Sequence, residues 1–132
     1  MSFNTLTKIR LSAILACTVI LTGCNFQKQD YLSMVTPAEL NRIMQHEDIF
    51  MVDVHTPKQA HIKGTDLFLP YNEIEKNQHK LPKDKNTAIY LYCESGPMAD
   101  TAAKSLHGLG YRNLISLEGG AKAWRSSELA FE

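Results

Sequence analysis

Cys93 stands between an apolar run and a short loop, a position at which a cysteine thiol can act as a nucleophile. The run covers residues 87–92, and after the loop the sequence from Ala99 to Leu109 has the pattern of a helix. Backbone N–H groups of a tight loop and the positive end of the following helix stabilise a thiolate, the reactive form of cysteine. The sequence therefore predicts cysteine chemistry here. The loop consists of Glu94, Ser95, Gly96, Pro97 and Met98.

The first 23 residues have the features of a bacterial secretory signal. Lys8 and Arg10 precede an apolar stretch, residues 11–21, that is shorter than the ~20 residues a membrane-spanning helix needs. Its end, Leu21-Thr22-Gly23-Cys24, resembles the lipobox of bacterial lipoproteins. This resemblance implies that residues 1–23 are removed and that Cys24 is acylated. The lipid would anchor the protein to a membrane on its extracytoplasmic side, which is the periplasmic side in a Gram-negative cell. The alternative is an ordinary signal or an uncleaved anchor.

Removal of the first 23 of 132 residues leaves 109, which is enough for one compact domain and too few for two. The remaining 12 basic and 14 acidic side chains form no basic patch, so the composition excludes a nucleic-acid partner. Because Cys17 leaves with the signal and lipid occupies Cys24, Cys93 is the one free thiol and an internal disulfide is excluded. A lone cysteine in an exported protein is either buried or kept for its reactivity.

The rest of the chain alternates short apolar runs with helical patterns. Residues 25–35 are polar and predict a tether with little structure, so that residues 24–35 precede a domain at 36–132. Thr36-Pro37-Ala38-Glu39 combines an N-cap, a proline and a capping-box glutamate, and predicts a helix to about His46. The other elements are strands at 49–54, 66–70, 87–92 and 113–117, and helices at 72–80, 99–109 and 121–126.

This alternation predicts an α/β fold with a mostly parallel central sheet and helices on both faces. In such sheets ligands bind at the carboxyl ends of the strands. Cys93 lies at one of these ends, where the strand at 87–92 stops. The fold class and the thiol chemistry therefore point to the same place in the molecule.

The order of short motifs along residues 36–132 resembles a single rhodanese domain, a three-layer α/β fold. The matching segments are Val52-Asp53-Val54, His61-Ile62-Lys63-Gly64, Leu69-Pro70, Tyr92-Cys93-Glu94-Ser95-Gly96, Gly108-Leu109-Gly110-Tyr111, Leu117-Glu118-Gly119-Gly120 and Ala123-Trp124. The resemblance implies a sulfurtransferase in which Cys93 is the nucleophile and carries sulfane sulfur as a persulfide. It also implies a small sulfur donor, a thiol acceptor and loop amides around the sulfur.

The other residues that could take part in chemistry give weaker indications of function. Asp53 ends a strand and is a candidate to orient the Cys93 loop, although such an acid more often bonds nearby backbone. The five histidines lack metal-ligand spacing, so the sequence predicts neither a metal nor a cofactor. For Cys93 the alternative is a buried strand-end cysteine, but the order of the motifs favours an exposed, reactive thiol.

The loop departs from the family pattern because it contains no arginine. Glu94 places a negative charge beside the sulfur, and Pro97 has no N–H to donate. These departures argue against thiosulfate as the preferred donor and against phosphatase or arsenate-reductase activity, which needs an arginine for a tetrahedral oxyanion. They leave open a non-catalytic module that binds a partner protein or carries sulfur for it, and a thiol redox sensor.

Overall fold

The computed structural model describes residues 30–131, which form a five-stranded sheet with helices on both faces. Every strand pairing is parallel, in the order β1-β5-β4-β2-β3. The predicted α/β fold with a parallel sheet is therefore confirmed. The strands are β1 (Leu32–Val35), β2 (Phe50–Asp53), β3 (Leu67–Phe68), β4 (Ile89–Tyr92) and β5 (Leu114–Leu117).

Within residues 30–131, three α-helices cover the sheet: α1 (Pro37–Met44), α2 (Pro97–Gly108) and α3 (Gly120–Ser126). On one face Ala102 and Leu106 of α2 pack in an apolar cluster with strand residues such as Leu91. On the other face Leu40 of α1 and Trp124 of α3 share a second cluster. Successive side chains along each strand point to opposite faces of the sheet and so contribute to both clusters, which explains why the strands are almost continuously apolar.

The start of α1 has the capping box that the sequence predicts. The Glu39 amide donates to the Thr36 hydroxyl oxygen, and the Glu39 carboxylate accepts from the Thr36 amide and hydroxyl. These hydrogen bonds, that from the backbone first, lower the pKa of Glu39 below its ordinary value. The helix therefore begins at Pro37, as the proline position indicates.

The predicted tether is wrong over its last four residues, because Leu32–Val35 form the edge strand β1. Leu32 to Val35 pair in parallel with Leu114 to Leu117 of β5, and Val35 is buried. An edge strand needs only one apolar side and one neighbour, so its signal in the sequence is weak. The domain thus begins before residue 36. The signal-like residues 1–23, Cys24 and the beginning of the tether lie outside the described residues.

The helix predicted at 72–80 is also wrong. The segment consists of turns followed by a single 3-10 turn, Gln78–Lys80. Only Ile74 among residues 72–80 is buried, so this stretch lacks the apolar stripe that would hold an isolated short helix against the core. Within residues 30–131, none of the helices has the length and apolar character that crossing a bilayer requires.

Tyr92, the last residue of β4, is buried and holds the segment that follows β2. Its hydroxyl oxygen accepts from the Ile62 amide at 3.0 Å. Because the Thr65 hydroxyl donates to the Ile62 carbonyl, the Tyr92 hydroxyl donates to Thr65 at 2.8 Å. Burial raises the pKa of Tyr92 far above its usual range, so this hydroxyl keeps its proton. The position directly before Cys93 is therefore locked by side-chain hydrogen bonds.

Tyr92→Phe removes an acceptor from the buried Ile62 amide and a donor from Thr65. We expect the free energy of unfolding to fall by about 1–3 kcal/mol, the cost of leaving buried polar groups unsatisfied. Tyr90→Phe is the matched control, because Tyr90 lies in the same strand and its hydroxyl has no hydrogen-bond partner within residues 30–131. Urea denaturation measures both, and equal effects of the two substitutions would contradict the assignment.

Candidate active site

Cys93 follows β4 directly, at the carboxyl edge of the sheet. Its Sγ accepts a hydrogen bond from the Gly96 amide at 3.0 Å. The expectation of an exposed thiol is wrong, because only 2% of the residue's surface is exposed and it shares an apolar cluster with Val54 and Ala99. The reason is tertiary, since α2 packs over this end of β4 and α3 contacts its backbone. Any reactant must therefore enter the loop to reach the sulfur.

The loop of residues 94–98 turns the chain directly into α2. Gly96 is the N-cap with φ of 132°, a backbone conformation that glycine adopts without a steric penalty. Pro97 is the first helical residue, so α2 begins two residues before the predicted Ala99. Within residues 30–131 the amides of Met98 and Ala99 have no acceptor, as is usual in the first turn of a helix. The Gly96 amide and the start of α2 thus provide donors suited to a negative charge on sulfur.

The start of α3 holds the backbone of this loop. The Ala121 amide donates to the Cys93 carbonyl at 2.8 Å, and the Lys122 amide donates to the Glu94 carbonyl at 2.9 Å. Gly120 has φ of 59° and lies so close that an added Cβ would stand 2.8 Å from the Glu94 carbonyl group. A side chain at this position would push the loop away from α3.

The charge of Glu94 is paired with a residue that sequence reasoning missed. The Arg125 guanidinium, on α3, donates to the Glu94 carboxylate, and both side chains are partly exposed. Nothing in the spacing of two residues 31 positions apart predicts this contact. The signal lies in the topology, because β4 and β5 are neighbours and the Gly119-Gly120 turn after β5 starts α3 at the edge where Cys93 lies.

Asp53 lies at the same edge of the sheet but contacts a different segment. Its carboxylate accepts from the His55 amide at 2.9 Å and from His61 Nδ1 at 2.7 Å. The hydrogen bonds of Asp53 thus order the chain after β2 and do not reach residues 94–98. Both ring nitrogens of His55 are buried without a hydrogen-bond partner in the described part of the chain. No cluster of three or more potential metal ligands occurs among residues 30–131.

Gly120→Ala introduces a Cβ against the Glu94 carbonyl and forces an L side chain into the left-handed region. We expect it to lower the free energy of unfolding by about 2–4 kcal/mol and to displace the loop. Gly108→Ala is the matched control, because Gly108 is helical and a Cβ there meets no atom within 4 Å. Denaturation and the rate of Cys93 alkylation measure the two effects. An unchanged stability and alkylation rate in Gly120→Ala would contradict the role given to this contact.

Comparison with curated proteins finds relatives of about 30% sequence identity. Among curated proteins the chain is 31% identical over 99 residues to an uncharacterized protein of Synechocystis sp., over 72% of this chain and 53% of that protein. It is 29% identical over 72 residues to a putative sulfur carrier protein of Bacillus subtilis, over 54% of this chain and 37% of the relative. A probable adenylyltransferase/sulfurtransferase of Mycobacterium tuberculosis is 32% identical over 98 residues, over 70% of this chain and 24% of the relative. The chain thus spans about half or less of each relative.

The solved structure of a rhodanese-related protein from Thermoplasma volcanium has the same fold. It superposes with a TM-score of 0.65 at 19% identity, over 76% of this chain and 97% of that chain. A family model described as the rhodanese-like domain matches residues 36–127, which include the Cys93 loop and α3. The chain therefore belongs to the rhodanese-like domain family.

Proposed function

We propose that the protein is a sulfurtransferase that carries sulfane sulfur on Cys93 as a persulfide. The observation that carries this proposal is the hydrogen bond from the Gly96 amide to Cys93 Sγ, at the end of a strand and directly before α2. A backbone donor in this position suits a reaction in which negative charge develops on sulfur. Membership of the rhodanese-like family supports the same chemistry.

The proposed reaction consists of two displacements at one sulfur atom. In the first, the Cys93 thiolate attacks the outer sulfur of a donor, a new S–S bond forms, and the remainder of the donor leaves with the electron pair of the broken bond. In the second, a thiol or cyanide acceptor attacks that outer sulfur and Cys93 leaves as the thiolate. The first-turn amides of Met98 and Ala99 are the further donors available to the terminal sulfur.

A second candidate is a sulfur carrier that serves a partner protein and turns over small molecules poorly. Two observations favour it: Cys93 is 2% exposed, and the loop lacks both an arginine and the N–H of residue 97. The similarity to a putative sulfur carrier protein supports this candidate as well. The two functions share the persulfide and differ in what removes the sulfur from it.

We also propose that the protein is a lipoprotein with acyl chains on Cys24, which would act on the extracytoplasmic side of a membrane. The support is the lipobox-like Leu21-Thr22-Gly23-Cys24 after a short apolar stretch. More than one acyl chain makes membrane attachment stable rather than marginal. Such a location would give the protein sulfur donors and acceptors that reach it from outside the cytoplasm.

Cys93 should gain one sulfur atom from a suitable donor. The chain with Cys17→Ser and Cys24→Ser, in which Cys93 is the single thiol, is incubated with thiosulfate, glutathione persulfide or polysulfide and weighed intact. We expect an addition of about 32 Da, one sulfur atom, that is lost on addition of cyanide or thiol. Cys93→Ser in the same background is the control. No addition with any donor, or an equal addition in the control, would contradict both functions, and loading without discharge would favour the carrier.

Cys24 should be the site of lipid attachment. In a bacterium that processes lipoproteins, we expect the full chain to incorporate labelled palmitate and to enter the detergent phase, and Cys24→Ser to do neither. Cys17→Ser is the matched control, because it removes another cysteine of the signal and leaves the lipobox intact. Incorporation of palmitate by Cys24→Ser, or none by the wild type, would contradict the lipoprotein proposal and would not affect the chemistry proposed for Cys93.

A further inference from the structure

The ion pair between Glu94 and Arg125 determines the charge that an incoming molecule meets at the Cys93 loop. Glu94 is held at two points by α3, through its carbonyl to the Lys122 amide and through its carboxylate to Arg125. Its carboxylate, which belongs to the residue directly after Cys93, is therefore held against α3. The side chains of Glu94 and Arg125 are 34% and 44% exposed, so the pair is accessible to solvent.

Within residues 94–98, the loop itself carries no cationic side chain for an anionic donor. Residues 95–98 have no ionisable side chain, and Arg125 is engaged by Glu94. The flanking charged side chains are exposed: Asp100 on α2, Glu118 before α3 and Lys122 on α3. The Glu94–Arg125 pair is neutral and Lys122 offsets one of the two acids, so the charged side chains named here sum to −1.

The backbone of the loop offers a small number of N–H donors for negative charge. The Gly96 amide donates to Sγ, Pro97 has no N–H, and the free amides of Met98 and Ala99 belong to the first turn of α2. An inorganic dianion such as thiosulfate brings a sulfonate group in addition to the sulfur that is transferred. That group would draw on Arg125, which would leave the Glu94 carboxylate unpaired, or on Lys122, whose single charge is outweighed by those of Asp100 and Glu118.

We propose that the Glu94–Arg125 pair is a charge filter that selects organic persulfides, R–S–S–H, over inorganic dianions as donors to Cys93. This inference rests on the proposed sulfurtransferase function. The Cys93 thiolate attacks the outer sulfur of R–S–S–H, and the S–S bond of the donor breaks. R–S leaves with the electron pair and takes the persulfide proton, giving Cys93–S–S⁻ and R–S–H. The one negative charge that remains lies on sulfur, where the loop amides are.

The test compares two alkylating reagents of the same chemistry and different charge. In the chain with Cys93 as the single thiol, rate constants are measured for iodoacetate, an anion, and for iodoacetamide, which is neutral. We expect Glu94→Gln, which frees Arg125, to raise the ratio of these rate constants roughly threefold to tenfold at low salt. Arg125→Gln should lower the ratio similarly, the double variant should restore it, and high salt should shrink both changes. In Glu94→Gln, the rate of sulfur loading from thiosulfate should rise relative to the rate of loading from glutathione persulfide.

Glu47→Gln is the matched control, because it removes the same charge at the opposite edge of the sheet, between α1 and β2. Ratios for Glu94→Gln and Arg125→Gln that stay within about twofold of this control would overturn the charge filter. Arg125→Lys should keep the wild-type ratio, because it retains the positive charge. If Arg125→Gln unfolds, a changed ratio in Arg125→Lys still contradicts the charge filter. Sulfur loading with unchanged ratios defeats the filter alone. Shifted ratios without sulfur uptake from any donor defeat the proposed function and the choice of donor with it, and leave only the effect of the pair on the charge at Cys93.

Discussion

Two hydrogen bonds from the start of α3 to the end of β4 fix the geometry on which the candidate site depends. The ladder of β4 stops at Tyr92, and the carbonyls of Cys93 and Glu94 find their partners in the amides of Ala121 and Lys122. Buried carbonyls need such partners, so the docking of α3 and the path of the loop are one constraint. The approach is close enough that residue 120 must be glycine. The same docking brings Arg125, three residues beyond Lys122, to the Glu94 side chain.

The charge of the loop is therefore a property of the fold as well as of its own sequence. Glu94 in isolation would repel anions, yet its carboxylate is paired with a cation from another element. The burial of Cys93 has a similar origin, since the apolar cluster around it comes from β2, β4 and α2. Together these contacts describe a sulfur that is shielded and hydrogen-bonded to the backbone, next in the chain to a residue whose charge is neutralised by an ion pair.

The sequence predicts the elements whose signals are local. Phe50–Asp53 and Ile89–Tyr92 lie inside the predicted apolar runs, and Thr36 and Glu39 form the predicted capping box. The edge strand Leu32–Val35 is not predicted from the sequence, because its partner, β5, is about 80 residues away and an edge strand needs only one apolar side. The position of Cys93 at a strand end is likewise local, but its burial and the pairing of Glu94 with Arg125 depend on how α2 and α3 pack. Tertiary contacts of this kind leave no periodic trace in the chain.

The amide resonances of the loop test the central claim most directly, because they report the hydrogen bonds to the sulfur itself. In the chain with Cys93 as the single thiol, ¹H–¹⁵N spectra are recorded before and after sulfur loading, with the added mass confirmed on the same sample. The account predicts that the amide protons of Gly96, Met98 and Ala99 move downfield on loading, while amides at the opposite edge of the sheet stay in place. Loading that leaves these three amides unchanged would contradict it, since the persulfide charge would then be stabilised elsewhere.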